Sequence, residues 1–376
     1  MISSIKILFA GDFAPRGILA SNIDLGLNEK IFVDVRPIIK NSDYALVNLE
    51  APIVDGSVAE KINKIGICQK CSAKAIDALV YAGFSMATLA NNHFYDYGEK
   101  GVIDTLKACD NKIDVVGGGI CLEDAMRPFK KNIKDRTFTF INCCEHEFSI
   151  ATNKTGGSNP LNPIVIYNQI QEAKKQGDKI IVIVHGGREL FQYPTIRMKE
   201  LYRFFIDAGA HVVINHHQHC YCGYEEYNNG LIFYGLGNFC FYNRRYCHDL
   251  WNNGYLVEVS FNDDKLSYQL YPYEQCSDTI SVRLLKGSEL DIFNMRIRDL
   301  SIVIQDNENL DSMLDKFVRK ADKNPLVTFE PFSNHIFAAL RRRKLIPSLL
   351  TKKKKELIRA KLLCESHRDC IMKALQ

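Results

Sequence analysis

The sequence predicts an α/β fold with much parallel sheet. Short apolar runs alternate with helix-period segments across residues 5–262. Two of the helical segments close on a glycine, Gly83 and Gly209, where a left-handed cap is wanted. Polar, metal-competent side chains gather just after the strand-like runs, where open α/β sheets collect their ligands.

Strand-like runs are read at 5–10, 44–49, 84–90, 113–119, 137–143, 179–185, 211–215, 230–237 and 255–261. Helices are expected at about 72–82, 99–110, 163–176 and 196–208. Residues 263–285 read as two further strands at a sheet edge, an extension of the domain at 1–262. From about Glu289 the chain turns polar and helical, so 286–376 is expected to form a basic, mainly helical C-terminal region. No internal repeat and no long linker is evident.

With 376 residues, 46% hydrophobic and 24% charged, the chain has room for one large domain with an appendage, or for two domains. Its net charge of +4 is too small to argue for a nucleic-acid partner, and none is expected. The basicity is concentrated: Ile336–Gln376 holds twelve Lys/Arg against three Asp/Glu. That segment is a candidate contact with an anionic membrane surface, polymer or biosynthetic complex, or else a solvated helix face. No signal-peptide pattern opens the sequence, and no apolar run approaches the ~20 residues that span a bilayer. The 13 cysteines, odd in number and partly inside apolar runs, fit a reduced, cytoplasmic chain with free thiols.

Five strand ends carry the chemistry. The first presents Asp12 in "AGDFA", and the second Asn48 and Glu50 in "VNLEAP". The third presents Asn91, Asn92, His93 and Asp96 in "LANNHFYDYG", and "VHGGRE" presents His185. The run at 211–215 leads into His216, His217 and His219 in "NHHQH". Taken singly, each has a bland explanation as a turn, a cap or a satisfied core histidine. Five together at successive strand ends point to a shared metal site. Carboxylate, amide and imidazole donors suit Mn(II), Fe or Zn and are poor for Cu(I).

Two rival motifs are weaker. Cys68-x-x-Cys71 with Cys220 and Cys222 suggests a structural zinc, but no second CxxC completes it, and buried thiols fit better. Gly117-Gly118-Gly119 lacks the Lys-Ser/Thr of a phosphate loop and reads as a tight turn beside the site.

The blocks "GDFAPRG", "VNLEAPI", "LANNHFYDYGEKGVIDTL", "VVGGGICLEDAMRP", "VIVHGGRELFQYP", "DAGAHVVINHHQH" and "NNGLIFYGLGNFCF" resemble, in order and spacing, the CapA family. These are capsule and poly-γ-glutamate biosynthesis proteins of the calcineurin-like metallophosphatase superfamily. The resemblance covers roughly residues 5–262. It implies a four-layer α-β-β-α sandwich holding a divalent metal centre, with two ions, in which Glu50 bridges. Asp12, Asn92, His185, His217 and His219 are the other implied ligands. His93 is the implied general acid or transition-state stabiliser, oriented by Asp96. Asn48, Arg188 and His216 are candidate substrate contacts, Tyr193 lies near Arg188, and Asn48 is also a candidate extra metal donor. The superfamily's histidine after the first aspartate is absent, since Ala14 stands there. Asn215 and Gln218 replace the Gly and Pro usual in the last histidine block.

The function expected is metal-dependent hydrolysis, by default of a phosphoester, on an anionic small molecule or polymer tied to capsule or exopolymer production. Two alternatives are an accessory factor that binds an anionic polymer such as poly-γ-glutamate without cleaving it, and a metal-dependent γ-glutamyl amide hydrolase or transferase.

Overall fold

In the computed structural model, residues 4–56, 59–262, 265–320, 326, 329–330, 335–343 and 345–375 are described. Two β-sheets dominate. The first runs in the order β16-β15-β14-β1-β2-β3-β4. Its parallel half is β1 (Ile5–Phe13), β2 (Tyr44–Leu49), β3 (Met86–Thr88) and β4 (Asp114–Val116). Its antiparallel half is β14 (Asn253–Asn262), β15 (Lys265–Gln275) and β16 (Val282–Leu284), the last being the edge expected from residues 263–285. A short strand, β13 (Asn238–Cys240), pairs with the end of β1.

The second sheet is ordered β11-β12-β10-β9-β7-β6. Its parallel centre comprises β7 (Arg136–Cys144), β9 (Lys179–His185), β10 (Val212–His216) and β12 (Gly230–Phe233). β6 (Phe129–Ile133) and β11 (Tyr224–Tyr227) are antiparallel edges. A two-stranded ribbon joins β5 (Gly118–Gly119) to β8 (Gly157–Ser158).

Side-chain alternation along the strands builds the layers. On β1, Ile7 and Phe9 enter the core between the sheets, where they join Phe140, Ile183 and Ile214 of the second sheet. Leu8 and Ala10 point the other way, onto the helical layer that includes α4 (Lys74–Ala82) through Ile76 and Leu79. On the second sheet, Val182 and Val213 face α7 (Pro163–Lys175) and α8 (Ile196–Ala208) through Ile166, Ile170, Tyr202 and Phe205. The result is helix, sheet, sheet, helix: the four-layer sandwich. Gly83 and Gly209 do close α4 and α8, with φ of 107° and 127°. The short helices α1 (Ile18–Asp24), α2 (Asn28–Phe32) and α3 (Arg36–Lys40) complete the first outer layer with α5 (Gly98–Cys109); α6 (Leu122–Met126) lies on the ribbon.

The C-terminal region divides rather than forming one body from residue 286. Two compact units meet at Leu310/Asp311. In the first, α9 (Ser288–Gln305) places Phe293, Ile297 and Leu300 in the inter-sheet core and Ile304 beside α8, an i, i+4, i+7, i+11 stripe. α10 (Asn307–Val318) spans the division. The second unit contains α11 (His335–Arg342), α12 (Lys352–Leu363) and α13 (Glu365–Ala374). Within it the buried Glu330 carboxylate pairs with Arg341 and accepts from Ser348 and the Leu349 N–H. α12 has no buried residue, so its lysines and Leu357, Leu362 and Leu363 face solvent. Among the described residues, no helix is long and apolar enough to cross a membrane.

All 13 cysteines are free thiols. Cys71 and Cys222 lie in the outer cores, and Cys220 is fully buried, as befits small hydrophobes rather than zinc ligands.

Candidate metal centre

The parallel strands of both sheets end at one rim, and their terminal side chains converge there. Asp12 stands where β1 bulges to admit β13; the Asp12 N–H donates to Gly237 O at 3.1 Å. Gly11 is needed for this approach, because a Cβ there would lie 1.8 Å from Gly237 O. Glu50 follows β2 and is pinned by its N–H to Phe13 O at 2.9 Å. His185 ends β9. His217 and His219 sit in the turn after β10 with left-handed φ of 91° and 53°, a conformation that costs non-glycine residues of order 1–3 kcal/mol and aims both rings inward.

Glu50 is at the centre. Its Oε1 lies 3.7 Å from His185 Nε2, 3.6 Å from His219 Nε2 and 3.9 Å from His93 Nε2. Asp12 Oδ2 lies 3.6 Å from His219 Nδ1, and Asp12 Oδ1 is 3.5 Å from His216 Nδ1. His217 Nδ1 is 3.0 Å from His185 Nε2, which also faces Asn92 Oδ1 at 3.1 Å. Two ligand groups result, Glu50–His185–His217 and Asp12–Glu50–His219, each with its ligand atoms within 4.8 Å of one another. Glu50 belongs to both.

These groups fit a cation on electrostatic grounds as well. Both Glu50 oxygens are buried without a hydrogen-bond partner, and so is His216 Nδ1. Burial pushes the Glu50 carboxyl well above its ordinary range, and the charges of Asp12, Glu189, Glu147 and Asp96 add to that. Burial also raises Asp12 to about 7, against the opposing hydrogen bonds from Asn48 and the His217 N–H. Burial lowers His216 and His219 to about 3, and His185 well below the usual imidazole value, with neighbouring imidazoles contributing. Neutral imidazoles are ready to donate lone pairs, whereas the raised carboxyls hold protons that a cation must displace. The sign follows. Metal loading strengthens as pH rises through about 7, where Asp12 loses its proton, and goes on strengthening above it for as long as Glu50 still holds one. Between pH 6 and 7 the apparent affinity is expected to rise by up to about tenfold for each proton displaced, as calorimetry in buffers of different ionisation heat would show.

Beside the cage, His93 Nδ1 is 2.6 Å from Asp96 Oδ2, which also accepts the Gln69 N–H. Burial lowers His93, and Asp96 opposes that shift. The other Asp96 oxygen pairs with Lys64, a side chain only 2% exposed. Lys64 was not singled out in the sequence, because it lies in an aperiodic loop far from any strand end. Glu147 was missed too, although it follows β7 much as Glu50 follows β2. Its Oε2 accepts from Asn92 Nδ2 at 3.0 Å, and its Oε1 is 3.8 Å from His217 Nε2. Asn238, inside the "GLGNF" block, faces His219 Nδ1 through its Oδ1 at 2.9 Å.

Of the three expected substrate contacts, Asn48 and His216 are buried and Arg188 is exposed. Asn48 is 1% exposed and lies behind the cage. Its amide NH₂ donates to Asp12 Oδ1 at 2.7 Å, and its oxygen accepts from Thr88 and Asn91. That network leaves Asn48 as a support for Asp12, neither a metal donor nor a surface group. His216 is buried against Asp12, among the ligands. Arg188 is exposed on the loop after β9, whereas the half-buried Tyr193 packs on Phe191 at 5.6 Å against the edge of the core.

The two departures in the last histidine block explain each other. Asn215 Nδ2 has Gly186 O, His216 O, Gln218 Oε1 and Tyr234 O as acceptors within 3.1 Å, and its Oδ1 accepts from the Tyr202 hydroxyl. Gln218 then donates to Phe191 O and Tyr193 O. A polar network thus holds the turn that Gly and Pro would otherwise shape. Asn215→Ala is expected to destabilise the protein by about 1–3 kcal/mol, measurable by urea unfolding, because it takes the donor from Gln218 Oε1 and the acceptor from the buried Tyr202 hydroxyl. The glycine run has a packing role: a Cβ on Gly117 would meet Asn142 Oδ1 at 2.1 Å, the same oxygen that accepts the Ala90 N–H ahead of Asn91 and Asn92.

Together these features define a layered α/β protein whose strand ends enclose a buried carboxylate–imidazole cluster able to hold a metal ion. The sequence profile described as "Bacterial capsule synthesis protein PGA_cap" matches residues 6–243, and the chain belongs to that family. It is 36% identical over 220 residues to "Capsule biosynthesis protein CapA" of Bacillus anthracis, covering 56% of this chain and 53% of that protein. It is 34% identical over 218 residues to "PGA biosynthesis protein CapA" of Bacillus subtilis (strain 168), covering 57% of each. The chain thus spans about half the length of the curated relatives it matches. A crystal structure of a hypothetical protein from Thermus thermophilus aligns over 72% of this chain and 99% of its own, at 14% identity and a TM-score of 0.46.

Proposed function

We propose that the chain is a metal-dependent hydrolase of capsule or exopolymer production, with phosphoester cleavage as its reaction. Glu50 carries this reading: a fully buried carboxylate with both oxygens unpartnered, common to two ligand groups. We assign Asp12, Glu50 and His219 to one divalent ion, and Glu50, His185 and His217 to a second, with Asn92 and His216 adjoining. A pair of such ions, Mn(II), Fe or Zn, supplies Lewis acidity and an activated water at neutral pH.

The chain's own groups do the rest. Asn48 fixes Asp12, and Asn238 fixes the His219 ring. His93, on the rim of the cage, would donate from Nε2 to the departing oxygen in its imidazolium form, which the Asp96 hydrogen bond favours against the lowering effect of burial. Asp96 holds the opposite ring nitrogen, and Lys64 pairs with the other Asp96 oxygen while its Nζ lies 3.2 Å from His93 Nδ1.

A second reading has its own support. A cavity of about 610 Å³ adjoins the site, lined by Lys61, Asn63, Lys64, Ile67, Cys68 and Tyr97 among others. Its exposed Lys61 suits an anionic chain, and the relatives are named for capsule and PGA biosynthesis. In this accessory reading the polymer is held without being cut, and the basic helix α12 adds an anionic-surface contact. Purified protein reconstituted with Mn(II) separates the two on an aryl phosphodiester. Turnover that requires the metal supports the hydrolase. A fully loaded protein that binds anionic polymer but releases no aryl alcohol supports the accessory role. Release of γ-glutamyl oligomers instead would redirect the chemistry to an amide.

A further inference from the structure

We propose that Cys247, His248 and Asp278 form a second, separate metal site that takes one zinc-class ion and clips the loop after β13 to the loop after β15. The proposal does not depend on the hydrolase reading. None of the three residues lies within the stretch matched by the family profile.

Their ligand atoms lie within 4.8 Å of one another. Cys247 Sγ is 3.7 Å from Asp278 Oδ1, and His248 Nε2 is 3.1 Å from Asp278 Oδ2. With Zn–S near 2.3 Å and Zn–N or Zn–O near 2.0 Å, the edges of a tetrahedron are about 3.5 Å and about 3.3 Å. The observed spacings are close to those edges.

The outer partners are also in place. His248 Nδ1 is 2.6 Å from Glu274 Oε1, the carboxylate–imidazole arrangement that turns the other ring nitrogen toward a metal. Glu274 is braced by Arg283 at 3.0 Å, and Arg283 by Glu289 at 2.7 Å. His248 holds a left-handed φ of 56°, so the chain accepts backbone strain to present this ring. Its side chain is 56% exposed and that of Asp278 73%, which leaves a fourth position open to water. On binding, the Cys247 thiol gives its proton to solvent and the thiolate becomes the sulfur ligand, while His248, whose charged form Glu274 and Asp278 favour, releases its Nε2 proton and keeps the one that Nδ1 donates to Glu274.

The donor sets of the two sites differ in kind. The cage offers oxygen and nitrogen alone, whereas this site adds a soft thiolate, which favours zinc over manganese. The location has a consequence. The clipped loop also carries Tyr246, stacked at 5.1 Å on Trp251, the single tryptophan of the chain, whose ring lies 4.7 Å from His219. A metal here would steady one wall of the cage.

The test uses the full chain, stripped by chelation and titrated with Co(II). A near-ultraviolet thiolate-to-cobalt charge-transfer band is expected to grow to the amplitude of one thiolate–cobalt bond per chain, however much further cobalt the cage takes up. The cage has no sulfur ligand and is silent in this band. Cys247→Ser is expected to abolish the band with the circular dichroism of the fold unchanged, since this thiol is exposed. Glu274→Gln is expected to weaken cobalt binding about tenfold. Cys370→Ser, at another exposed thiol, keeps the band. No band in the parent chain, or one that survives Cys247→Ser, overturns the proposal.

Discussion

Glu50→Gln is expected to empty the metal centre and to lower phosphodiester turnover by about 10³-fold or more, comparable with or beyond the loss of a principal transition-state stabiliser. The physical ground is that Glu50 alone belongs to both ligand groups, so one substitution removes a negative donor from each. The same change has a second signature. In the metal-free chain the folded-state pKa of Glu50 is raised by burial, so above the unfolded value of 4.5 its charge opposes folding. Glutamine carries no charge into that site. At pH 8 the melting temperature of metal-free Glu50→Gln is therefore expected to hold or rise while activity and metal content collapse. A general folding defect would lower all three.

His93→Ala is expected to leave the metal content intact and to lower turnover by about 10²–10³-fold, within the range typical of a positioned general acid. The dependence on leaving group identifies the role. A phenolate with a low pKa departs with little help, so the loss should be smaller for an activated aryl ester than for an alkyl ester. An equal loss on both would assign His93 to holding the phosphoryl group rather than protonating the leaving oxygen. Asp96→Asn should follow the same leaving-group pattern more weakly, because Asp96 acts through the His93 ring.

The strand ends explain why much of this site was legible from sequence. Asp12, Glu50, Asn92, His185, His217 and His219 each follow a strong apolar run, and a parallel sheet forces such ends onto one rim. The α/β class was legible for a related reason, since buried parallel strands such as "KIIVIVH" announce themselves by composition, whereas the four-layer sandwich was implied by the family resemblance alone. Other parts depended on information that a linear pattern lacks. The helices at 18–24, 28–32 and 36–40 span five to seven residues each, too few turns to show a period. β6, "FKKNI", is a polar edge strand and resembles a loop. Lys64 reaches Asp96 from an irregular segment, and only the folded chain brings them together. Asn48 shows a subtler limit: its place at a strand end was readable, but the direction of its amide depends on Thr88, Asn91 and Asp12 around it. Glu147 is open to the same rule that finds Glu50, but it comes three residues after the end of β7, whereas Glu50 directly follows β2.

Metal stoichiometry tests the central claim most directly. Titration of chelator-stripped Cys247→Ser protein with Mn(II) at pH 8, followed by calorimetry, isolates the cage from the loop site. Two ions per chain are predicted, and neither should bind with comparable affinity once Glu50 is glutamine. Saturating Mn(II), Fe(II) and Zn(II) that all fail to bind, or binding indifferent to Glu50→Gln, would contradict the account.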